Sequence, residues 1–282
     1  MRSRTPRLSS LTHARRLSRL VALILAVGLL GAGAQTTAAT PESALTVFAA
    51  ASLAPAFQEI GKRFESSHAG VRVRFNFAGS QQLAAQLEQG ARADVFASAD
   101  ERWMEFAKRA GLVTDEPLVF AHNRLIAIVP RSNPGRLGTL QDLARRGVKL
   151  VIGAPTVPVG AYTRQVLENF GRSSDFEPGY SRRVLANVVS QEDNVRSVVA
   201  KVQLGEADAG FVYRSDVSPR LQRYVRTLSI PDSLNVTATY PIAVTRGSPR
   251  PELARAFIDA LIRDEGQAIL ERHGFLRADF RP

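Results

Sequence analysis

The chain contains no cysteine. That excludes disulfides, thiolate zinc sites, a Cys nucleophile and a lipid-modified N-terminal Cys. Histidine is scarce. His13, His68, His122 and His273 are scattered, with no H-E-x-x-H or His-x-His cluster, so a histidine metal centre is not expected. The G-x-S-x-G elbow, the P-loop and the G-x-G-x-x-G fingerprint are also missing. No pair of carboxylates is singled out by spacing. What remains is ordinary globular composition over 282 residues, 45% apolar and 22% charged, with 20 glycines and 15 prolines. A disordered, collagen-like or coiled-coil chain does not look like this.

The net charge of +11 is unevenly placed. Six arginines and no acid fall within residues 1–34, which leaves +5 for the rest. No dense Lys/Arg run follows, so no nucleic-acid partner is expected. Arg15-Arg16 and Arg19 precede an apolar run from Leu20 to Ala34. The run is short against the ~20 residues of a membrane span. It ends in Ala32-Gly33-Ala34, an A-x-A-like cleavage signal, and small residues continue to Ala38-Ala39. Residues 1–34 therefore read as a secretory signal peptide, and the mature protein as periplasmic. The usual twin-arginine pattern does not follow Arg15-Arg16.

From Leu45 onward, short β-rich runs alternate with helical periodicity. Strands are expected at Leu45–Ala50, Val71–Ala78, Asp94–Ala97, Leu125–Val129, Leu150–Ala154, Ala209–Tyr213 and Tyr240–Val244. Helices are expected after Ser52, after Ser80, through Trp103 and Phe106, over Tyr162–Phe170, along the Val195–Val202 stripe, and from about Pro251 to Leu270. The alternation argues for an α/β protein with a parallel sheet.

One local grammar recurs: a strand, then small or polar residues, then a helix. It occurs at Ala49-Ala50-Ala51-Ser52-Leu53, Ala78-Gly79-Ser80-Gln81-Gln82, Pro158-Val159-Gly160-Ala161 and Glu192-Asp193-Asn194-Val195. Each sets free N–H groups at a helix start, and helix starts suit an oxyanion. Any one serine here is more simply a helix cap, and Ser98 and Asp100 look like that. Four such starts at strand ends of one α/β sheet point to a ligand site.

The ordered set of motifs resembles the periplasmic molybdate-binding proteins of ABC importers. The residues are Val47-Phe-Ala-Ala-Ala-Ser52-Leu53, Ala93-Asp94-Val-Phe-Ala-Ser98-Ala99-Asp100 and Val157-Pro158-Val159-Gly160-Ala-Tyr162. Glu192-Asp193-Asn-Val195-Arg196, Gly205-Glu-Ala-Asp208-Ala-Gly210-Phe-Val-Tyr213-Arg-Ser-Asp216 and Ala238-Thr-Tyr240-Pro241-Ile-Ala continue it. The resemblance implies a two-lobed periplasmic solute-binding protein (type II) fold, each lobe a mixed, mostly parallel sheet flanked by helices. Lobe one would hold residues 44–122 plus 239–282, and lobe two residues 123–238. It implies molybdate bound by Ser52, Ser80, Val159 (or its neighbour Gly160), Val195 and Tyr213, with tungstate held similarly.

By the same resemblance the chain is a monomer that is not an enzyme. It has no catalytic residue, no cofactor and no direct protein–metal bond, and it delivers its anion to a membrane permease. The alternatives are a protein for another oxyanion such as sulfate, or a secreted serine hydrolase using Ser52 or Ser80.

Overall fold

The computed structural model describes residues 43–278. The expected signal segment and its cleavage sites lie outside the described residues. The first part of the chain runs β1 (Ser43–Ala50), a short turn at 51–53, α1 (Ala54–Ser67), β2 (Val71–Ala78), α2 (Ser80–Glu88), β3 (Val95–Ala97) and α3 (Glu101–Arg109). The long strand β4 (Leu118–Pro130) follows. Then come β5 (Leu150–Gly153), α4 (Pro158–Arg172), α5 (Tyr180–Ala186), β6 (Val188–Glu192), α6 (Val195–Gln203), β7 (Ala209–Tyr213) and β8 (Val225–Ser229). The chain closes with β9 (Thr237–Val244), α7 (Pro251–Ile262), α8 (Asp264–Arg272) and β10 (Leu276–Arg277).

The main sheet order is β2-β1-β3-β9-β4-β7-β5-β6. Two parallel sets sit at its ends. β2, β1 and β3 run parallel to one another, as do β7, β5 and β6. Between them β9 and β4 pair antiparallel with each other and with their outer neighbours. β4 is long enough to serve both sets. Its first half pairs with β9, and its second half, Leu125–Pro130, with β7 and β8. Parallel strands with helices on both faces have two apolar faces to bury. β1 shows it: Leu45, Val47 and Ala49 enter one core cluster and Phe48 a second, under α2 and α3.

α1 forms because Pro55 presets the first turn and Ala56, Phe57, Ile60 and Phe64 fall on one face. That face meets Phe75, Phe120 and Phe257 in tilted and edge-on ring contacts. Full burial of one such phenylalanine contributes about 1.5–3 kcal/mol. Gly90, at φ +88, follows the end of α2 in the left-handed conformation that glycine tolerates best.

The pattern predicts one helix from Pro251 to Leu270, but there are two. Arg263 has extended backbone (φ −66, ψ 161), and α8 restarts with Asp264 and Glu265 in its first turn. Acids there favour a new helix start. Gly266 packs so closely that a Cβ would lie 2.3 Å from the Ala260 carbonyl oxygen, which fixes the corner between α7 and α8.

Candidate functional site

Strand carboxyl ends of both parallel sets face one small cavity. Its twelve lining residues are Ala50, Ala51, Ala78, Gly79, Ser80, Ala99, Val157, Pro158, Val159, Asn194, Val195 and Tyr213. The first three come from the ends of β1 and β2, and the Val157, Val195 and Tyr213 groups from the ends of β5, β6 and β7. None of the twelve carries a charge. The cavity volume is about 20 Å³.

Four of the five expected ligand residues, Ser80, Val159, Val195 and Tyr213, thus come together. Gly160 lies one residue beyond, in the same first turn of α4. Ser52 is not itself in the lining. It follows Ala50 and Ala51, which are, and its Oγ lies 3.1 Å from Tyr240 Oη.

The helix starts at the cavity are sparsely capped. α4 begins at Pro158 after Val157, with no side-chain cap. At α2, Gln82 Oε1 accepts the Gly79 N–H at 3.0 Å, while the Gln82 N–H donates to the Gly79 carbonyl at 2.9 Å. At α6, Asn194 Oδ1 accepts only the Ser197 N–H, at 3.1 Å. First-turn N–H groups carry the positive end of the helix dipole, which favours an anion.

The side chains share one polarity. Ser80 Oγ accepts the Ala99 N–H at 3.0 Å, which leaves its own proton to give. Tyr213 is 1% exposed, and its hydroxyl has no hydrogen-bond partner among the described residues. Burial pushes that phenol well above its ordinary pKa, so it stays protonated and is a donor in waiting. A buried hydroxyl left unpaired is costly. Here the residue lines a cavity of further donors. Asp216 supports Tyr213 from behind, its Oδ2 accepting the Tyr213 N–H at 2.9 Å. Asp216 keeps some solvent contact, but burial of its carboxyl pushes its pKa up to about 7, offset in part by that bond and by Arg196. Arg196 itself lies outside the cavity lining and is exposed.

Contacts across the site hold its walls together. Gly79 permits the closest of them: a Cβ there would sit 2.3 Å from the Asp193 carbonyl oxygen. Gln81 Nε2 donates to that same oxygen at 2.7 Å. Trp103 Nε1 and Arg102 Nη2 donate to the Thr156 carbonyl at 2.8 and 2.5 Å. Asp100 caps α3, as expected, whereas Ser98 bonds the capping residue and not the helix. Asp100 Oδ1 accepts the Trp103 N–H at 3.0 Å, and Ser98 Oγ accepts the Asp100 N–H at 3.2 Å.

The hydrolase alternative needs a base beside a serine. Ser52 meets Tyr240 and Ser80 meets Ala99, whereas His68 stacks on Phe64 and His273 pairs with Glu59. Among the described residues, no group of three or more His, Asp or Glu side chains is placed to hold a metal ion. No described helix is long and apolar enough to cross a membrane.

Sequence reasoning missed the residues behind the serines. Ala99 lies inside a quoted motif, but its amide could not be assigned to Ser80. Asn123 and Tyr240 are buried partners that only the fold assembles.

The family model described as bacterial extracellular solute-binding protein matches residues 45–276. The molybdate-binding protein ModA of Mycobacterium tuberculosis H37Rv is 38% identical over 264 residues, covering 92% of this chain and 96% of that protein. Two solved structures have similar folds. The periplasmic molybdate-binding protein of Azotobacter vinelandii matches with a TM-score of 0.72 at 20% identity, over 83% of this chain and 100% of that one. The sulfate-binding protein SubI of Mycobacterium tuberculosis matches with a TM-score of 0.74 at 19% identity, over 84% and 88%.

Proposed function

The chain belongs to the bacterial extracellular solute-binding protein family, and on that premise we propose that it binds molybdate outside the cytoplasm and delivers it to the permease of an ABC importer. The observation that carries this reading is the polarity of the cavity. It has no charged side chain, a serine that already accepts the Ala99 N–H, a buried tyrosine hydroxyl with no partner among the described residues, and helix-start amides. Such a lining is rich in proton donors.

Molybdate is a tetrahedral dianion, fully deprotonated at neutral pH, and its oxygens only accept hydrogen bonds. Ser52, Ser80 and Tyr213 supply hydroxyl donors in this reading, and Val159 and Val195 supply amides. Gly160 is the alternative loop donor. Helix dipoles spread the charge, so no Lys or Arg is needed at the anion. A phosphate that retains a proton needs an acceptor, and a donor-rich lining disfavours it. Sulfate passes the polarity test, and cavity size must separate it, because Mo–O bonds are longer than S–O bonds. Tungstate, nearly equal in size and charge, is held almost as well.

Residues 44–122 plus 239–282 and residues 123–238 act as the two lobes. His122 pairs with Thr239, and Asn123 with Ala238, where β4 and β9 run side by side. Those strands are the connection about which the lobes open and close. The anion bridges the two halves and favours the closed form. The protein works as a monomer without a resident cofactor and catalyses nothing. Its route out of the cytoplasm is a cleaved signal at residues 1–34.

A thermal-unfolding panel tests the proposal, since a ligand adds RT ln(1 + [L]/Kd) to stability. Molybdate and tungstate are expected to raise Tm strongly, and phosphate not at all. A Tm raised by phosphate or ferric iron but not by molybdate contradicts it.

A further inference from the structure

We propose that Tyr240 and Asn123, which do not line the cavity, fix the direction of the Ser52 proton and thereby make the site reject oxyanions that still carry a proton. The proposal rests on the molybdate reading above and assigns these two as positioning residues for its selectivity.

The chain of reasoning starts at Asn123, which is fully buried in β4. Its Oδ1 accepts the Arg124 N–H at 2.9 Å. The backbone amide can only donate, so the other end of the side chain is the NH₂ group. That NH₂ donates to Ser215 Oγ at 2.8 Å and points its second proton toward Tyr240 Oη, 3.5 Å away. Tyr240 is also fully buried, in β9, and has one proton. Its polar partners are the Asn123 NH₂, which cannot accept, and Ser52 Oγ at 3.1 Å. The phenol proton therefore goes to Ser52. Burial raises the Tyr240 pKa well above its ordinary value, so the proton stays on the phenol.

Ser52 is 2% exposed and receives that bond. Its own proton must then leave in another direction, beside Ala50 and Ala51 at the cavity wall. Ser80 is loaded the same way by the Ala99 amide. The two serines differ in one respect. Ser80 is oriented by the backbone and cannot be retuned by mutation of its donor, whereas the Ser52 relay is built from side chains. With Tyr240 removed as a donor, Ser52 is free to turn and accept. It then suits the O–H of a hydrogen phosphate.

The test is titration calorimetry of the mature protein with molybdate, sulfate and phosphate at pH 7, for wild type, Tyr240→Phe and Asn123→Leu. In Tyr240→Phe the molybdate-to-phosphate affinity ratio is expected to fall about tenfold, with the molybdate-to-sulfate ratio unchanged because sulfate carries no proton. Asn123→Leu, which frees the phenol to accept from Ser52, shifts the same ratio in the same direction by a smaller factor. It stands in if Tyr240→Phe does not fold. A merely structural loosening weakens all three anions alike or moves the sulfate ratio too. A change of less than threefold in the phosphate ratio, or an equal change in the sulfate ratio, overturns the proposal while leaving molybdate binding intact. Wild-type protein that binds no molybdate overturns both.

Discussion

The Ala99 amide donates to Ser80 Oγ at 3.0 Å, linking the start of α2 to the loop before α3. The serine is thereby held as a donor toward the cavity. Ser80→Ala removes both bonds. We expect a stability loss of about 1 kcal/mol for the stranded amide and a further loss of about 1–3 kcal/mol in molybdate binding. Ser80→Asp adds a negative charge to a cavity with no counter-ion and should weaken binding more than Ser80→Ala does. Chemical denaturation and calorimetry measure the two effects separately.

Tyr213→Phe should behave in the opposite way on stability. The hydroxyl has no partner to lose among the described residues, so the anion-free variant should be as stable as wild type or more so, by up to about 1 kcal/mol. Anion affinity should nevertheless fall by about 1–3 kcal/mol, as for a lost hydrogen bond to a charged group. A variant that loses stability and keeps its affinity contradicts the role assigned to this tyrosine.

Gly79→Ala probes the close approach of the two walls. The added methyl would sit 2.3 Å from the Asp193 carbonyl oxygen, a backbone atom that cannot swing aside. In the proposed two-lobe motion an open form escapes this clash and a closed one does not. Molybdate affinity should fall at least tenfold, while the Tm without anion changes by only a few degrees.

Asp216 gives a pH signature. Its folded pKa of about 7 lies above the ~3.9 of an unfolded aspartate. The folded state therefore binds more protons between those values, and stability falls as pH rises from about 4 to 7. Asp216→Asn should flatten that part of the stability profile, relative to wild type, and keep an acceptor for the Tyr213 N–H. An unchanged pH dependence of Tm contradicts the shift.

Much of this was legible before the fold was known. The strand-then-helix grammar marked the helix starts at Ser80, Pro158 and Val195 because short residues after a strand leave amides free, and the fold gathers those starts; the choice of Val159 and Val195 as donors within them came from resemblance. Tyr213 had no such signal, since a tyrosine ending the apolar run Ala209–Tyr213 reads as core. It came only from resemblance. β6 and β8 were missed because their residues are half exposed and give weak alternation, and α5 because it spans only seven residues. Serines at helix starts looked like caps. Neither cap bond forms, because Ser52 Oγ faces Tyr240, 188 residues away, and Ser80 Oγ takes the Ala99 amide. Such long-range pairing leaves no trace in local spacing.

Native mass spectrometry of the mature protein, offered equimolar molybdate, tungstate and sulfate, bears most directly on the central claim. One molybdate or tungstate per chain, in preference to sulfate, is the predicted spectrum. Binding of sulfate alone, or of no tetrahedral dianion at all, would contradict a cavity of neutral donors shaped for a metal oxyanion.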